Sequence, residues 1–252
     1  MYEGENLKRI EEGKARVQQL HSDLRGRIVT RSFLSDQARA MAVYGLTRRL
    51  GGIARGIENI FKLLPPGADA SPRRDELADI EIQLHAHITN SFGAMDNIAW
   101  IWTLERNIKD RNGRALHQRK VGLRKNCIEI RKSLPSAILE LVNATDPWFE
   151  YLEPYRHSLA HRIPLYLPPF IVDPDVWRNI SEGQYQSTSA REWLEAQAAA
   201  RAVSKFHPIM AIGPGEDTRP VRFHPQVVSD FLTIAEMAEA FLNELDAPSN
   251  GN

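Results

Sequence analysis

Cysteine is almost absent from the chain, whose 252 residues include only Cys127. A single thiol excludes an internal disulfide and any metal site built from several cysteines. Long apolar runs are also missing, since no stretch approaches the ~20 residues that cross a bilayer. The charged N-terminal residues lack the apolar segment of a secretory signal peptide. We therefore expect a cytoplasmic protein without a membrane partner.

No excess of one charge is present, because Lys+Arg and Asp+Glu both number 32. A neutral chain does not attract nucleic acid along its whole surface, so any basic site must be local. Glycine motifs for phosphate are missing too: "GPGED" lacks the spacing and the lysine of a phosphate loop. Neither a Gly-x-Ser-x-Gly motif nor a nucleotide-binding fingerprint occurs. We expect no cofactor.

What the sequence does contain is helical periodicity, which predicts an all-α fold. The predicted helices are 5–28, 35–64, 74–107, 123–133, 136–143, 189–205 and 226–246. Glycines within 45–56 predict either a tight helix crossing or a break. The strongest repeat, in 74–107, comprises Leu77, Leu84, Ile88, Phe92, Met95, Ala99 and Trp102. On that helix His87, Asn90 and Asn97 share a polar face, which is either solvated or lines a functional cleft.

Residues 164–223 differ in composition from the helices around them. "PLYLPPFIVDPDVW" is rich in proline, which predicts an extended segment over the surface for residues 164–188. "HPIMAI" and "RPVRF" predict a short β-hairpin around "GPGED". We therefore expect a single helical domain over residues 1–252, with an irregular insertion at 164–223.

One short stretch, "YRHSLAHR" at residues 155–162, holds two of the 8 histidines between two arginines. The "DP" at residues 146–147 predicts a helix start. Pro154 predicts that a new or kinked helix begins near Glu153. Such a start would leave free backbone N–H groups near Arg156, and these favour an anion such as phosphate.

Helical geometry separates the side chains of this stretch into two faces. Tyr155, Leu159 and Ile163 lie four apart and predict the face that packs on the core. His157 and His161 lie roughly 160° away from Leu159, given ~100° per residue. Both histidines should therefore face solvent, a cleft or a partner.

Arg156, His157 and His161 fit the pattern Arg-x(4–6)-His with a polar residue after the arginine. In a mostly helical chain this pattern resembles the HEPN superfamily, and "RHSLAHRIPLY" is similar to uncharacterised bacterial proteins placed near it. The resemblance implies a helical bundle that acts as a homodimer. It also implies a metal-independent ribonuclease of toxin–antitoxin or antiviral systems, or a helical binding domain that has lost activity. The insertion at 164–223 departs from the minimal HEPN bundle.

The resemblance also implies roles for individual residues. His161 is the expected general acid or base, Arg156 the phosphate clamp, and His157 the residue that orients His161 or substrate. Arg162 and Asn97 are expected to contact substrate. RNA is then the expected partner, together with a second copy of the chain and an antitoxin or regulatory protein.

Other interpretations of the same residues remain open. Arg156 pairing with a carboxylate and His157 pairing with Glu153 would indicate a non-catalytic helical interaction or RNA-binding protein. His157 and His161, with Glu150 or Glu153, would suit a metal ion. The loose motif also occurs four more times, at Arg16/His21, Arg111/His117, Arg201/His207 and Arg219/His224.

Overall fold

The computed structural model describes residues 2–68, 72–168, 178, 189–203, 206–213 and 220–247. The helices are α1 (Gly4–Thr30), α2 (Asp36–Ala40), α3 (Thr47–Leu63), α4 (Arg74–Glu105), α5 (Ile128–Ser133), α6 (Ser136–Ala144), α7 (Asp146–His161), α8 (Ala190–Val203) and α9 (Phe223–Asp246), with a π-helical turn (Met41–Leu46) between α2 and α3. A short 3₁₀ turn covers Gln118–Lys120. The predicted all-α class is confirmed. No helix in the described ranges is long and apolar enough to cross a membrane.

Helix α4 lies at the centre and packs against α3, α7 and α9. Every member of its predicted apolar repeat is buried, at 6% exposure or less. Burial of one such large side chain contributes about 1.5–3 kcal/mol. The helix begins where the Glu76 carboxylate accepts a hydrogen bond from the backbone N–H of Arg73, at 2.8 Å. Its last residue is Glu105, Arg106 is the C-cap, and the following Asn107 has a positive φ of 49°.

The glycine-containing helix crosses α4 closely, as one of the two sequence alternatives predicted. Ser35 caps it by accepting a hydrogen bond from the N–H of Ala38. Helical backbone then continues through the π-helical turn to Leu63. At Gly45 a Cβ atom would lie 2.6 Å from Nδ2 of Asn97 on α4. Only a residue without a side chain allows this approach.

Gly45→Ala is expected to lower the free energy of unfolding by about 1–3 kcal/mol, because the added methyl group overpacks the crossing. Gly26→Ala is the matched control, since a Cβ atom there meets nothing within 4 Å in helix α1. That control should raise the free energy of unfolding by about 0.5–1 kcal/mol. Urea unfolding of both variants checks the pair, and equal effects would contradict the described crossing.

Two helix starts differ from the prediction. Of the two alternatives predicted near Glu153, a new helix or a kinked one, the new helix is wrong, because α7 is helical from Asp146 to His161 across Pro154. Burial of Leu152 and Tyr155 on either side of this proline continues the packed face and offsets its lost hydrogen bond. A continuous helix uses the N–H groups of its interior, so the helix start that would leave free N–H groups near Arg156 is not formed. The helix predicted at 123–133 begins only at Ile128, although Cys127 is buried as expected.

The irregular insertion is only partly described. Residues 163–168 are not helical, and Tyr166 forms an antiparallel bridge with Ala211. The predicted hairpin is confirmed as strands β1 (Ile209–Met210) and β2 (Val221–Arg222), which pair antiparallel. The rest of the proline-rich segment and most of "GPGED" lie outside the described residues.

His224, at the start of α9, makes stability depend on pH. Its Nε2 donates a hydrogen bond to the backbone oxygen of Leu64 at 2.7 Å, and its side chain is fully buried. Burial lowers the pKa of His224 to about 4, against a weaker raising effect of the bond to Leu64. The unfolded chain, with an ordinary histidine pKa near 6.5, therefore binds a proton that the folded chain does not bind.

The free energy of unfolding should consequently fall as the pH drops from about 6.5 to about 4, by at most about 1.4 kcal/mol per pH unit from this group. Urea unfolding at pH values across this window measures the slope. His224→Gln should reduce it, because glutamine does not titrate. An unchanged slope in that variant would show that other groups cause the acid sensitivity.

Candidate functional site

The two histidines of the motif form an exposed pair on α7. His157 and His161 lie one turn apart, and their ring centroids are 5.2 Å apart with an interplanar angle of 62°. Both side chains are exposed, which confirms that this face of α7 points away from the core. The core face is confirmed for Tyr155, whose side chain is buried and donates to the backbone oxygen of Met210. Ile163 was wrongly placed on that face: it follows the end of α7 and is 55% exposed.

Arg156 packs on an aromatic ring of the central helix. Its guanidinium carbon lies 4.5 Å from the ring centroid of Phe92, and that of Arg124 lies 5.3 Å from the same ring. An aromatic face attracts a cation, so Phe92 holds both guanidinium groups at the junction of α4 and α7. Arg124 also forms an ion pair with Glu153 at 2.8 Å. The guanidinium groups of Arg124 and Arg156 therefore lie close to one aromatic ring without a bound ligand.

A half-buried carboxyl, Asp96, lies among these arginines. Burial raises the pKa of Asp96, and the charges of Arg124, Arg156 and Arg49 lower it in part. Within the described ranges Arg156 makes no direct ion pair, and Glu153 pairs with Arg124 and not with His157. The specific pairings of the structural interpretation are therefore not formed there. We call Arg49, Arg124 and Arg156 the arginine cluster.

Arg49 is held in place by the polar face of α4. Its Nε donates to Oδ1 of Asn97 at 3.0 Å, and its Nη1 donates to Oδ1 of Asn90 at 3.3 Å. A Cβ atom at Gly93 would lie 2.4 Å from the guanidinium carbon, so the group crosses α4 directly over this glycine. Asn97, only 9% exposed, thus lies beneath Arg49. The third member of the predicted face, His87, is buried elsewhere against Asp230.

The arginine cluster and the histidine pair occupy adjacent sides of α7. Arg156 and His161 are five positions apart along the helix, which turns their side chains about 140° apart around its axis. Arg162 follows the helix end, is exposed, and donates its backbone N–H to the oxygen of Ser158. Arg156 therefore points towards the Phe92 ring, and His161 points to a different, exposed side of the same helix.

The competing motifs have different surroundings. His224 is fully buried, and His117 is exposed in a loop where its Nδ1 accepts from the backbone N–H of Arg119. Arg219 lies outside the described residues, as does the side chain of Arg201. Among the residues with described positions, no three metal-ligating side chains converge. Glu150, which was considered as a third ligand beside the histidines, binds Lys125 at 2.7 Å.

Sequence reasoning missed Arg49, Arg124 and Phe92 as parts of this site. They come from α3, from the turn before α5 and from α4, so no spacing along the chain connects them with Arg156. Gly93 is a sequence signal that could have indicated the position of Arg49, because a glycine inside a long helix indicates close approach by another group. No family model, no curated protein and no solved structure matches this chain.

Proposed function

We propose that this protein is a metal-independent RNA endonuclease of HEPN type. The observation that carries the proposal is the exposed pair His157–His161 on the helix that also holds Arg156, a member of the arginine cluster. Imidazoles are the side chains best suited to proton transfer near neutral pH. Guanidinium groups keep their charge and grip phosphate oxygens through paired N–H groups. Cleavage of a phosphodiester needs both.

In this mechanism the 2′-hydroxyl of one nucleotide attacks the adjacent phosphorus. A histidine takes the proton of the 2′-hydroxyl, the bond to the 5′-oxygen breaks, and that oxygen receives a proton. The products are a 2′,3′-cyclic phosphate and a 5′-hydroxyl. His161 performs one of the two proton transfers, and His157 orients it or the substrate. Arg156 neutralises the charge that develops on the phosphate oxygens.

Geometry gives a reason for the homodimer that the resemblance implies. Arg156 and His161 point about 140° apart on one helix, so one motif does not surround a phosphate by itself. A second copy facing the first would bring another histidine pair to the opposite side of the phosphate. This arrangement supplies both the proton acceptor and the proton donor. In the same proposal the partner of the resting protein is an antitoxin or regulatory protein, in the cytoplasm.

The arginine cluster also accounts for RNA affinity in a chain without net charge. Asn90 and Asn97 fix Arg49, and Phe92 supports Arg156 and Arg124. A phosphate bound there displaces counterions, so binding weakens as salt increases. The exposed Arg162 extends the positive surface beyond the end of α7.

A second candidate is a non-catalytic helical interaction protein, and one observation favours it. The guanidinium groups that stack on Phe92 also surround Asp96, so the cluster joins α4, α7 and the turn before α5 without any ligand. In that case Arg156 and its neighbours stabilise the fold, and the motif has no catalytic role.

Incubating the full chain with a mixed RNA pool and with single-stranded DNA of the same sequences, both in EDTA, distinguishes the two candidates. The ribonuclease proposal predicts RNA fragments that end in 2′,3′-cyclic phosphate, and intact DNA. Arg156→Gln should greatly reduce this cleavage, since it removes the clamp charge. Intact RNA after incubation with folded protein would reject the ribonuclease and favour the interaction protein. Cleavage of DNA, or 5′-phosphate ends, would contradict the mechanism.

A further inference from the structure

A cavity of about 480 Å³ lies between the N-terminal ends of α1 and α9, lined in part by Tyr2, Arg9, Ile10, Arg222, Ser229 and Leu232. None of these residues belongs to the histidine motif or the arginine cluster. Pockets that hold small molecules usually measure about 300–1,000 Å³. The size therefore suits a ligand of modest length.

At one border of the cavity the two helices approach each other closely. Gly13 on α1 also borders the cavity, and a Cβ atom there would lie 2.7 Å from Cγ1 of Val228 on α9. The absent side chain lets the helices approach at this point. Space remains beside the contact, with an apolar floor that includes Ile10, Val228 and Leu232.

Positive charge surrounds this apolar floor. Arg9 and Arg222 both line the cavity and are exposed, and neither pairs with a carboxylate in the part of the chain that the structure describes. No aspartate or glutamate is among the described lining residues. The guanidinium carbon of Arg222 lies 5.5 Å from the ring centroid of Tyr2, so this arginine is held at the cavity. The electrostatics therefore favour an anion and disfavour a cation.

Tyr2 forms part of the cavity wall. Its side chain is 6% exposed, and its hydroxyl is covered and donates to no acceptor among the residues whose positions are described. Burial raises the pKa of Tyr2 more than Arg222 and the backbone N–H of His224 lower it, so the hydroxyl keeps its proton. The phenol ring therefore adds apolar surface beside Arg222 without adding negative charge.

We propose that the cavity binds an amphipathic monocarboxylate, with its apolar chain on the floor and its carboxylate between Arg9 and Arg222. The apolar floor disfavours inorganic phosphate, which has no apolar part. The two guanidinium groups disfavour a neutral alcohol of the same length. The proposal does not depend on RNA cleavage.

Calorimetric titration of the full chain with octanoate tests the proposal, beside acetate, octan-1-ol and inorganic phosphate. Octanoate should bind saturably and more tightly than the other three, with affinity increasing roughly two- to fourfold for each added methylene group. Arg9→Ala and Arg222→Gln should each weaken octanoate binding about tenfold or more. Arg16→Ala is the matched control, because it removes an exposed arginine from the same helix away from the cavity.

Ser229→Trp locates the site, because this exposed residue lines the cavity and a tryptophan there would fill it. Octanoate should no longer bind that variant, whose circular dichroism should match the wild type. Three results would overturn the proposal: no saturable binding of octanoate, equal binding of octanol or phosphate, or equal weakening by Arg16→Ala. Unchanged binding to folded Ser229→Trp would place the ligand elsewhere and reject this cavity.

Discussion

Asp230→Ala is expected to lower the free energy of unfolding by about 3–5 kcal/mol, the largest stability effect that the structure predicts. Asp230 on α9 is fully buried. Its Oδ2 lies 3.0 Å from Nε2 of His87 on α4, and its Oδ1 accepts from Nε1 of Trp148 on α7 at 2.9 Å and from Nε2 of Gln226 at 2.7 Å. Removing this carboxylate leaves three buried or half-buried donors without an acceptor.

Urea unfolding measures this loss, and Asp23→Ala serves as the control. Asp23 is exposed and, in the part of the chain that the structure describes, accepts side-chain hydrogen bonds from Gln19 on the same helix. Its replacement should change the free energy of unfolding by less than about 0.5 kcal/mol. If Asp230→Ala lowered the free energy of unfolding as little as Asp23→Ala, the Asp230 carboxylate would not stabilise the packing of α4, α7 and α9.

His161→Ala is expected to lower the rate of RNA cleavage by about 10²- to 10⁴-fold, because it removes a proton-transferring group from the proposed site. The free energy of unfolding should stay within about 0.5 kcal/mol of the wild type, since the side chain is exposed at the end of α7. Single-turnover cleavage of a labelled RNA measures the rate, and urea unfolding measures the stability.

His117→Ala is the matched control for this experiment. His117 is also an exposed histidine that follows an arginine at motif spacing, Arg111, but it lies in the loop before α5. Its replacement should leave cleavage unchanged. Equal loss in both variants would indicate a general effect of histidine on RNA binding. Full activity of His161→Ala would remove His161 from the mechanism.

The apolar periodicity predicted the central helix well, because burial of one face dominates the energetics of a long helix. The repeat from Leu77 to Trp102 therefore located α4 within two residues of its C-terminal end. Local signals located two helix starts: Ser35 caps α2 as predicted, and α7 begins at the "DP" dipeptide. These features depend on neighbours along the chain, so the sequence alone suffices for them. The capping role predicted for Asp146 is wrong, because the N-cap is Thr145 and the Asp146 carboxylate pairs with Arg131.

Local rules failed where tertiary contacts decide. Pro154 disfavours a helix interior, but the buried residues around it and the ion pair between Arg124 and Glu153 keep α7 continuous. The same limitation applies to the site. Periodicity placed His157 and His161 on an exposed face, whereas the contact of Arg156 with Phe92 depends on how α4 and α7 pack. The order of residues along the chain does not predict how these two helices pack against each other.

The most direct test of the central claim uses one RNA at a cleavage site mapped with the wild-type chain. A second RNA differs from it only in lacking the 2′-hydroxyl of the nucleotide before the scissile phosphate. In EDTA, we expect that cleavage at this site disappears in the second RNA, while other sites in the same molecule are still cut. Continued cleavage at the modified site would contradict 2′-hydroxyl attack and the function proposed for the histidine motif.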